Sequence, residues 1–259
     1  MHSIFGTKHL IIVAVCVALI VALSILSKKM SFTAICKTML YIGIVSEIIK
    51  IFYYIVQNED THFGVLPKSD LPFHLCSIQI IFIVILNLSN SEKLKRFLLS
   101  FMYPSCLFGG IAAILIATHS SLNGLWIITL QYFGYHIALV VFSMRLITGE
   151  EFKLQLSDYT NCLKFLLVIM FFAFYINSIV YDGGQSNINF MYVASPPQSG
   201  LPYLTEEYGW LTYIIHYAFL VIVCVSGCYA KPIVKSIKTK LASKKTAELT
   251  KKAEEPATV

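Results

Sequence analysis

Seven stretches of about 20 predominantly apolar residues constrain this sequence more than any other feature, because a helix that crosses a bilayer needs that length. The stretches lie at 9–27, 34–57, 71–89, 97–117, 122–147, 160–181 and 208–230. They use most of the chain, and 13% of its residues are charged, roughly half the proportion in a soluble domain. We therefore predict an all-α membrane protein in which residues 1–230 form a bundle of seven transmembrane helices.

The basic residues predict the orientation of the bundle, because Lys and Arg in short loops stay on the cytoplasmic side. They concentrate in alternate loops and in the tail 231–259: Lys28, Lys29, Lys93, Lys95, Arg96, Arg145, Lys153 and the residues from Lys231 onward. The opposite side holds Lys8 and Lys68, and the long connection 182–208 has neither Lys nor Arg. This distribution predicts an N-terminus outside, a C-terminus in the cytoplasm and the cell membrane as the location.

The tail 231–259 is a basic cytoplasmic extension in this topology, with a helix expected at its start and disorder at its end. Because the net charge of +6 comes from the cytoplasmic flanks, we expect membrane phospholipids as partners and anionic lipid headgroups at the tail, and no nucleic acid. The seven cysteines and seven histidines show no disulfide framework and no metal-ligand spacing. We therefore predict no metal site and no cofactor.

Polar side chains inside a bilayer are costly, and they mark either a site or a structural pairing. Glu47 and Lys50 are three residues apart on one helical face, which predicts an ion pair or a Glu47 that orients a catalytic histidine. The other candidates occupy four further predicted helices: His74, Cys76, Gln131, His136, Asn177 and His216. The predicted topology brings them to the outer half of the bilayer, so we expect an outward-facing polar cavity there, with His136 as its floor.

The connection 182–208 lies directly above this predicted cavity. Its Gly183-Gly184 and Pro196-Pro197 pairs are turn signals. The segment from Phe190 to Tyr192 is apolar enough to return to the membrane interface. Because long loops without secondary structure are usually functional or disordered, we expect a lid or a partly re-entrant segment.

A cysteine near a histidine suggests acyl transfer, in which a thiolate attacks a carbonyl carbon. On a regular helix, however, His74 and Cys76 would point to nearly opposite sides, because each residue turns the helix by about 100°. Two alternatives stay open: Pro72 leaves the first turn irregular, or each residue has its partner on another helix, with His136 or His216 serving Cys76. Cys76 as a small buried hydrophobic residue is a third interpretation.

The sequence resembles the YwaF / transmembrane protein 164 family of seven-helix membrane proteins in four segments that follow the family's order: LPFHLCSIQ, YFGYHIALVV, NSIV with NINFMYVASPP, and YGWLTYIIHY. For the animal branch, the resemblance implies a lipid acyltransferase that moves a fatty acyl chain onto a lyso ether phospholipid through an acyl-cysteine. The site residues that it implies here are His74, His136, Asn189 with Asn187 nearby, and, more loosely, Glu47 and Lys50.

One position departs from the family pattern. The resemblance implies a nucleophilic cysteine directly before the histidine of the third helix, and Phe73 occupies that position. Cys76 lies three residues later, on the same face of a regular helix and about 4.5 Å deeper, where it could replace the nucleophile. The HLC arrangement is more similar to the bacterial YwaF branch.

Two functional hypotheses follow from these observations. In the first, the protein is a phospholipid acyltransferase or a lipid hydrolase that acts from the outer leaflet. Cys76, or a water activated by His74 or His136, is then the nucleophile, and Asn189 is a donor near the developing oxyanion. In the second, it is a non-catalytic seven-helix transporter or lipid- or solute-binding membrane protein. Retinal chemistry is disfavoured, since the last apolar stretch has no Lys to form a Schiff base.

Overall fold

The computed structural model describes residues 5–57, 66–118, 121–122, 124–149, 152–180, 188–196 and 207–254. These residues form eight α-helices and two short 3-10 helices, with no strand among them. The α-helices are α1 Thr7–Ser27, α2 Phe32–Gln57, α3 Ile78–Leu88, α4 Glu92–Leu115, α5 Trp126–Thr148, α6 Leu156–Val180, α7 Trp210–Cys228 and α8 Ala230–Glu254. The 3-10 helices are Lys68–Asp70 and Phe190–Tyr192. The predicted all-α class is confirmed.

Among the described residues, six helices are long and apolar enough to cross a membrane: α1, α2, α4, α5, α6 and α7. They correspond to six of the seven predicted stretches. The helix α8 follows α7 almost directly and continues to Glu254, so the described part of the basic tail is helical well beyond its start. The six apolar helices identify a multi-pass membrane protein.

The third predicted stretch, 71–89, differs from the expectation. Residues 71–77 form turns, and α3 begins only at Ile78 and has 11 residues. At 1.5 Å per residue such a helix is about 16 Å long, roughly half of the hydrocarbon thickness. Pro72 disfavours a helical conformation for Leu71, and side chains from α3 and α5 bind the carbonyl groups of the turns, as described below.

The helices α4 and α5 form the centre of the bundle. In the most apolar window of α4, 61% of the residues are buried, against 11% in α1 and in α7, which lie at the periphery. Gly110 of α4 permits a close approach to α5, since an ideal Cβ there would lie 2.7 Å from Val140 Cγ2 and 2.9 Å from the carbonyl oxygen of His136. Small residues have this function at many helix contacts in membranes.

Hydrogen bonds between distant residues show that α3 runs antiparallel to α2. Near the C-terminus of α3, Asn87 Nδ2 donates to the carbonyl of Cys36 at the start of α2, over 3.2 Å. Before α3 begins, the carbonyl of Asp70 accepts from Lys50 Nζ in the last turns of α2, over 3.1 Å. The turns 71–77 and α3 together therefore extend from one end of α2 towards the other.

The two ends of the bundle are held differently. At the end where α1 begins, buried His9 bonds to the N–H of Phe5 and to the carbonyl of Ile114 near the end of α4, both over 3.0 Å. At the opposite end, Arg96 of α4 binds the buried carboxylate of Asp158 through Nε and Nη2, over 2.8 and 2.7 Å. The end where α1 begins also holds the turns 71–77, and we call it the site end.

Candidate functional site

The turns 71–77 carry His74 and Cys76, and side chains of the surrounding helices hold their backbone. Tyr135 of α5 donates its hydroxyl to the carbonyl of Cys76 over 2.8 Å. Gln79 of α3 donates its amide to the carbonyl of Leu75 over 2.9 Å. Non-helical backbone at membrane depth persists only where protein or a water-filled cavity satisfies its polar groups. Gln79 therefore supplies the donor that a regular helix would give to Leu75, and Tyr135 adds a second donor to the carbonyl of Cys76, which also accepts from the N–H of Gln79 over 3.2 Å.

Side chains in the last turns of α2 bind the segment that precedes residues 71–77. Lys50 Nζ lies 2.8 Å from Glu47 Oε2 and 3.1 Å from the carbonyl oxygen of Asp70. Tyr54 donates its hydroxyl to the carboxylate of Asp70. Glu47 and Lys50 thus form the first of the two arrangements predicted for them, an ion pair. The same lysine anchors the 3-10 helix Lys68–Asp70 beside α2.

His74 and Cys76 do not form a dyad with each other. The Nε2 atom of His74 lies 3.1 Å from the carbonyl oxygen of Ser69, and the thiol of Cys76 lies 3.9 Å from Ser77 Oγ. No hydrogen bond joins Cys76 to a histidine among the described residues. The turn is irregular, as in the first of the two alternatives, but this irregularity does not bring the two side chains together. The irregularity aims the imidazole of His74 at residues 190–192, and its ring centroid lies 5.1 Å from that of Phe190.

Phe73, at the position of the implied nucleophile, has a packing role. Its ring meets those of Phe172 and Phe190 edge to face, with centroids 5.7 and 5.4 Å apart. Such pairs add about 0.5–1.5 kcal/mol beyond the buried area. The side chain therefore fastens the turn that carries His74 to α6 and to the second irregular segment.

That second segment comprises residues 188–196. Asn177, near the end of α6, accepts from the N–H of Phe190 over 2.9 Å and donates to its carbonyl over 3.1 Å. Met191 and Tyr192 follow with φ angles of 56° and 54°. Two successive non-glycine residues in the left-handed region are unusual, and backbone strain of this kind concentrates at functional sites.

The start of α7 clamps the same segment from the other side. Tyr213, which is fully buried, donates its hydroxyl to the carbonyl of Tyr192. Trp210 Nε1 donates to the carbonyl of Val193 over 2.9 Å. Within the segment, the amide of Asn189 donates to the carbonyl and hydroxyl oxygens of Ser195, over 2.7 and 3.0 Å. Residues 189–195 are therefore fixed in place, and Asn189 acts within its own turn.

His136 and Gln131 lie on α5 at the same end of the bundle. His136 is buried, its Nδ1 lies 2.7 Å from the carbonyl oxygen of Tyr132, and its Nε2 has no hydrogen-bond partner within the described part of the chain. Gln131 donates its amide to buried Ser46 of α2 over 2.6 Å. The Nε2 atom of His136 is therefore unpaired among the described residues, while Gln131 connects α5 to α2.

One described candidate, His216, is not brought to this group. His216 is exposed on α7, on the peripheral face that also carries exposed Ile215 and Phe219. To be the predicted partner of Cys76, His216 would have to lie on the opposite face of α7. Asn187 lies outside the described residues.

Comparison with known families matches the model of the TMEM164 family to residues 4–229 of this chain. The chain belongs to the TMEM164 family. The match extends from the start of α1 to the end of α7 and includes both irregular segments, whereas all of α8 lies outside it. Comparison with curated proteins and with solved structures finds no match.

Three site residues of this TMEM164-family protein were not predicted from the sequence. Gln79 is fully buried, donates to Ser105 Oγ over 3.0 Å and accepts from the thiol of Cys106 over 3.4 Å. Tyr135 and Tyr213 are buried tyrosines that bind carbonyl groups of the irregular segments. A buried glutamine in an apolar stretch is a usable signal. The two tyrosines give none, since the sequence does not reveal which carbonyl groups lack partners.

Tyr192 carries a hydroxyl whose pKa burial raises above its usual value. The Tyr192 hydroxyl is therefore neutral at physiological pH. Among the described residues, no three His, Cys, Asp or Glu side chains group as metal ligands.

Proposed function

We propose that this protein is a membrane-embedded acyltransferase or hydrolase of phospholipids, with its site at the irregular segments of the site end. The observation that carries the proposal is the turn 71–77. It interrupts the third apolar stretch, presents His74 and half-buried Cys76, and is held by side chains of neighbouring helices. A protein that only needed to span the bilayer would gain stability from a regular helix there, since all of its backbone groups would then be satisfied internally.

In the proposed reaction, Cys76 is the nucleophile. Its thiol proton passes to an imidazole nitrogen while the sulfur bonds to the ester carbonyl carbon of a phospholipid. The ester C–O bond then breaks, and the departing lysophospholipid oxygen takes the proton. In the second half, the hydroxyl of an acceptor lysophospholipid, or water in the hydrolytic variant, attacks the thioester and returns a proton to sulfur through the same imidazole.

His136 is the proposed proton carrier. Its Nε2 is buried and without a partner among the described residues, so it is available to a substrate or to a thiol. Tyr135 links the two groups, because it contacts the His136 ring with centroids 5.6 Å apart and donates to the carbonyl of Cys76. His74 has the supporting role of binding the substrate through Nδ1, since its Nε2 is already within hydrogen-bond distance of the carbonyl of Ser69.

The test is acyl transfer by the purified full chain in lipid nanodiscs with a phospholipid labelled in its acyl chain. Cys76→Ala and His136→Ala should each abolish transfer and hydrolysis, and an acyl adduct on Cys76 should be detected by mass spectrometry in wild type and be absent from both variants. Cys224→Ala is the matched control, because this half-buried thiol lies on α7 near the opposite end. Turnover that survives both site substitutions rules out the mechanism.

A second candidate function is a non-catalytic transporter or a lipid- or solute-binding protein. The observation in its favour is the large number of predicted site residues that bind other parts of the chain: Glu47 with Lys50, Gln131 with Ser46, Asn177 with Phe190 and Asn189 with Ser195. Flux of a solute in proteoliposomes without any lipid turnover would favour this function over the enzyme.

We further propose seven crossings of the cell membrane, with the turns 71–77 and α3 together making the third. The alternation of helix ends supports this topology, because α1 begins, α4 ends and α7 begins at the site end. The N-terminus is then outside and the basic helix α8 is cytoplasmic, where anionic lipid headgroups attract its lysines. Protease accessibility of tags at the two termini in intact cells tests the orientation: only the N-terminal tag should be cleaved.

A further inference from the structure

The hydrogen bond of His74 determines which of its ring nitrogens is open to a ligand. Its Nε2 atom lies 3.1 Å from the carbonyl oxygen of Ser69, and a carbonyl oxygen can only accept a hydrogen bond. Nε2 therefore carries the proton, and in the neutral ring the other nitrogen, Nδ1, has a lone pair and no proton. No described residue forms a hydrogen bond with Nδ1. His74 thus offers a ligand a hydrogen-bond acceptor.

Tyr192 offers the complementary group beside it. Its ring centroid lies 6.3 Å from that of His74. Its hydroxyl has no hydrogen-bond partner in the part of the chain that the structure describes, and 39% of the residue is exposed, so a ligand can reach it. A phenol has one proton to donate. A hydrogen-bond donor and a hydrogen-bond acceptor, both without partners, are therefore carried by two neighbouring rings.

The two rings are held next to each other before any ligand binds. The carbonyl of Tyr192 accepts from the Tyr213 hydroxyl, which supports a left-handed φ of 54° that would otherwise be strained. Phe190, which is fully buried and belongs to the same segment 188–196, packs on the His74 ring with centroids 5.1 Å apart. A site that is rigid in advance binds its ligand at a lower entropic cost.

The chemistry of these two groups selects the ligand. An alcohol hydroxyl has a proton to donate to Nδ1 of His74, and its oxygen has lone pairs that can accept from Tyr192. The oxygens of a phosphodiester, a carboxylate or an ester have no proton, so they would face the lone pair of Nδ1 with lone pairs of their own. The pair therefore matches an alcohol. A phospholipid with two ester chains has no free glycerol hydroxyl, whereas a lysophospholipid has one.

We propose that His74 and Tyr192 bind the free glycerol hydroxyl of a lysophospholipid, with Nδ1 of His74 accepting and the Tyr192 hydroxyl donating. The inference rests on the proposed function, in which such a hydroxyl accepts the acyl chain. It assigns the two residues to the acceptor lipid and makes them the group that distinguishes this lipid from a phospholipid with two ester chains.

The experiment compares the binding of two ether lipids to the purified full chain in detergent, at about pH 8, where an ordinary histidine is neutral. One is O-hexadecyl lysophosphatidylcholine, and the other is the same molecule without its glycerol hydroxyl. The choline headgroup has no N–H and the ether chain cannot be transferred, so the two lipids differ only in the proposed donor. Native mass spectrometry measures the Kd of each lipid.

Four variants separate the hydrogen bond from the shape of the turn. His74→Gln keeps an amide donor at the position of Nε2 and removes the acceptor at Nδ1. His74→Asn does the reverse, since its amide oxygen lies at the position of Nδ1. Tyr192→Phe removes only the hydroxyl. His216→Gln is the matched control, because His216 is exposed on the peripheral face of α7.

Wild type should bind the lipid with the hydroxyl about 3- to 10-fold more tightly than its analogue, the net effect of neutral hydrogen bonds. The ratio of the two Kd values should fall to about one in His74→Gln and decrease in Tyr192→Phe. It should be retained in His74→Asn and in the control His216→Gln.

Three results would overturn the inference and leave the proposed function intact: equal Kd values for the two lipids in wild type, a ratio that survives both His74→Gln and Tyr192→Phe, or an equal loss in His74→Asn and His74→Gln. The last would show that His74 acts only through the shape of its turn. A wild-type chain that binds neither lipid would also overturn the inference. If that chain turns over no phospholipid labelled in its acyl chain, the proposed function fails with it.

Discussion

The prediction that most directly tests the site concerns Asn177, which binds both backbone groups of Phe190. Asn177→Ala removes both partners at once. Phe190 is completely buried, so its N–H and carbonyl would lose their hydrogen bonds without free access to water. A buried group left unsatisfied costs about 1–3 kcal/mol, and we expect a total of about 2–4 kcal/mol, concentrated in residues 188–196.

This cost should appear as local opening of the segment. Since each 1.36 kcal/mol changes an equilibrium tenfold, the protection of the Phe190 amide against hydrogen exchange should fall by about 30- to 900-fold. Exchange is measured by mass spectrometry on peptides that cover residues 188–196, with the protein in nanodiscs. Peptides from α4, in the centre of the bundle, should keep their protection, because α4 packs mainly against α5 and α6.

The matched control is Ser178→Ala. Ser178 is the next residue of α6, is exposed, and donates its hydroxyl to a carbonyl of its own helix over 2.8 Å. This substitution should leave the exchange of residues 188–196 unchanged. If the Phe190 amide exchanges at the same rate in the two variants, within a factor of about three, Asn177 does not hold the segment. Residues 188–196 are then not fixed beside His74 by this side chain.

Two further predictions concern the stability of the bundle. Asp158→Ala removes the buried carboxylate that binds Arg96, whose side chain is 36% exposed, so the loss of hydrogen bonds to a charged group should cost about 1.5–3 kcal/mol, visible as a lower Tm in detergent. Glu92→Ala, which removes an exposed ion pair at the same end, should change stability by at most about 1 kcal/mol. Gly110→Ala should cost about 1–3 kcal/mol, because the added carbon overpacks against α5. Gly134→Ala should be neutral or stabilising by up to about 1 kcal/mol, because no atom lies within 4 Å of the added carbon. Equal Tm values for Asp158→Ala and Glu92→Ala would contradict the role of the buried ion pair. Equal Tm values for Gly110→Ala and Gly134→Ala would contradict the close packing of α4 on α5.

The sequence predicts the long helices of this protein well, because apolar length is a local property. The stretch 71–89 shows where this reasoning ends. Its hydropathy is that of a spanning helix, yet its first residues form turns that depend on Tyr135, a residue far away in the chain. Pro72 marks the place where a helix is disfavoured, but hydropathy alone contains no information about the side chain that stabilises the alternative.

Helical rise predicts the depth of a polar residue, but its direction around the helix depends on the neighbours. His216 is at the predicted level of α7, near the clamp formed by Tyr213, and yet it is on the exposed face. Asn189 lies in the second irregular segment, but its amide donates to Ser195. In both cases the sequence gives the residue and its approximate depth, and the packing decides what the side chain can reach.

The two irregular segments argue for a site at this end even apart from cysteine chemistry. In a bilayer, each needs partners for backbone groups that a helix would satisfy by itself. The chain supplies them from three helices, through Tyr135, Asn177 and Tyr213 among others. Both segments meet at His74, whose ring packs on Phe190. We infer that structure that is costly in lipid and is stabilised from three helices serves to bind or react with a ligand, and a Cys76→Ala variant that still binds phospholipid would separate those two roles.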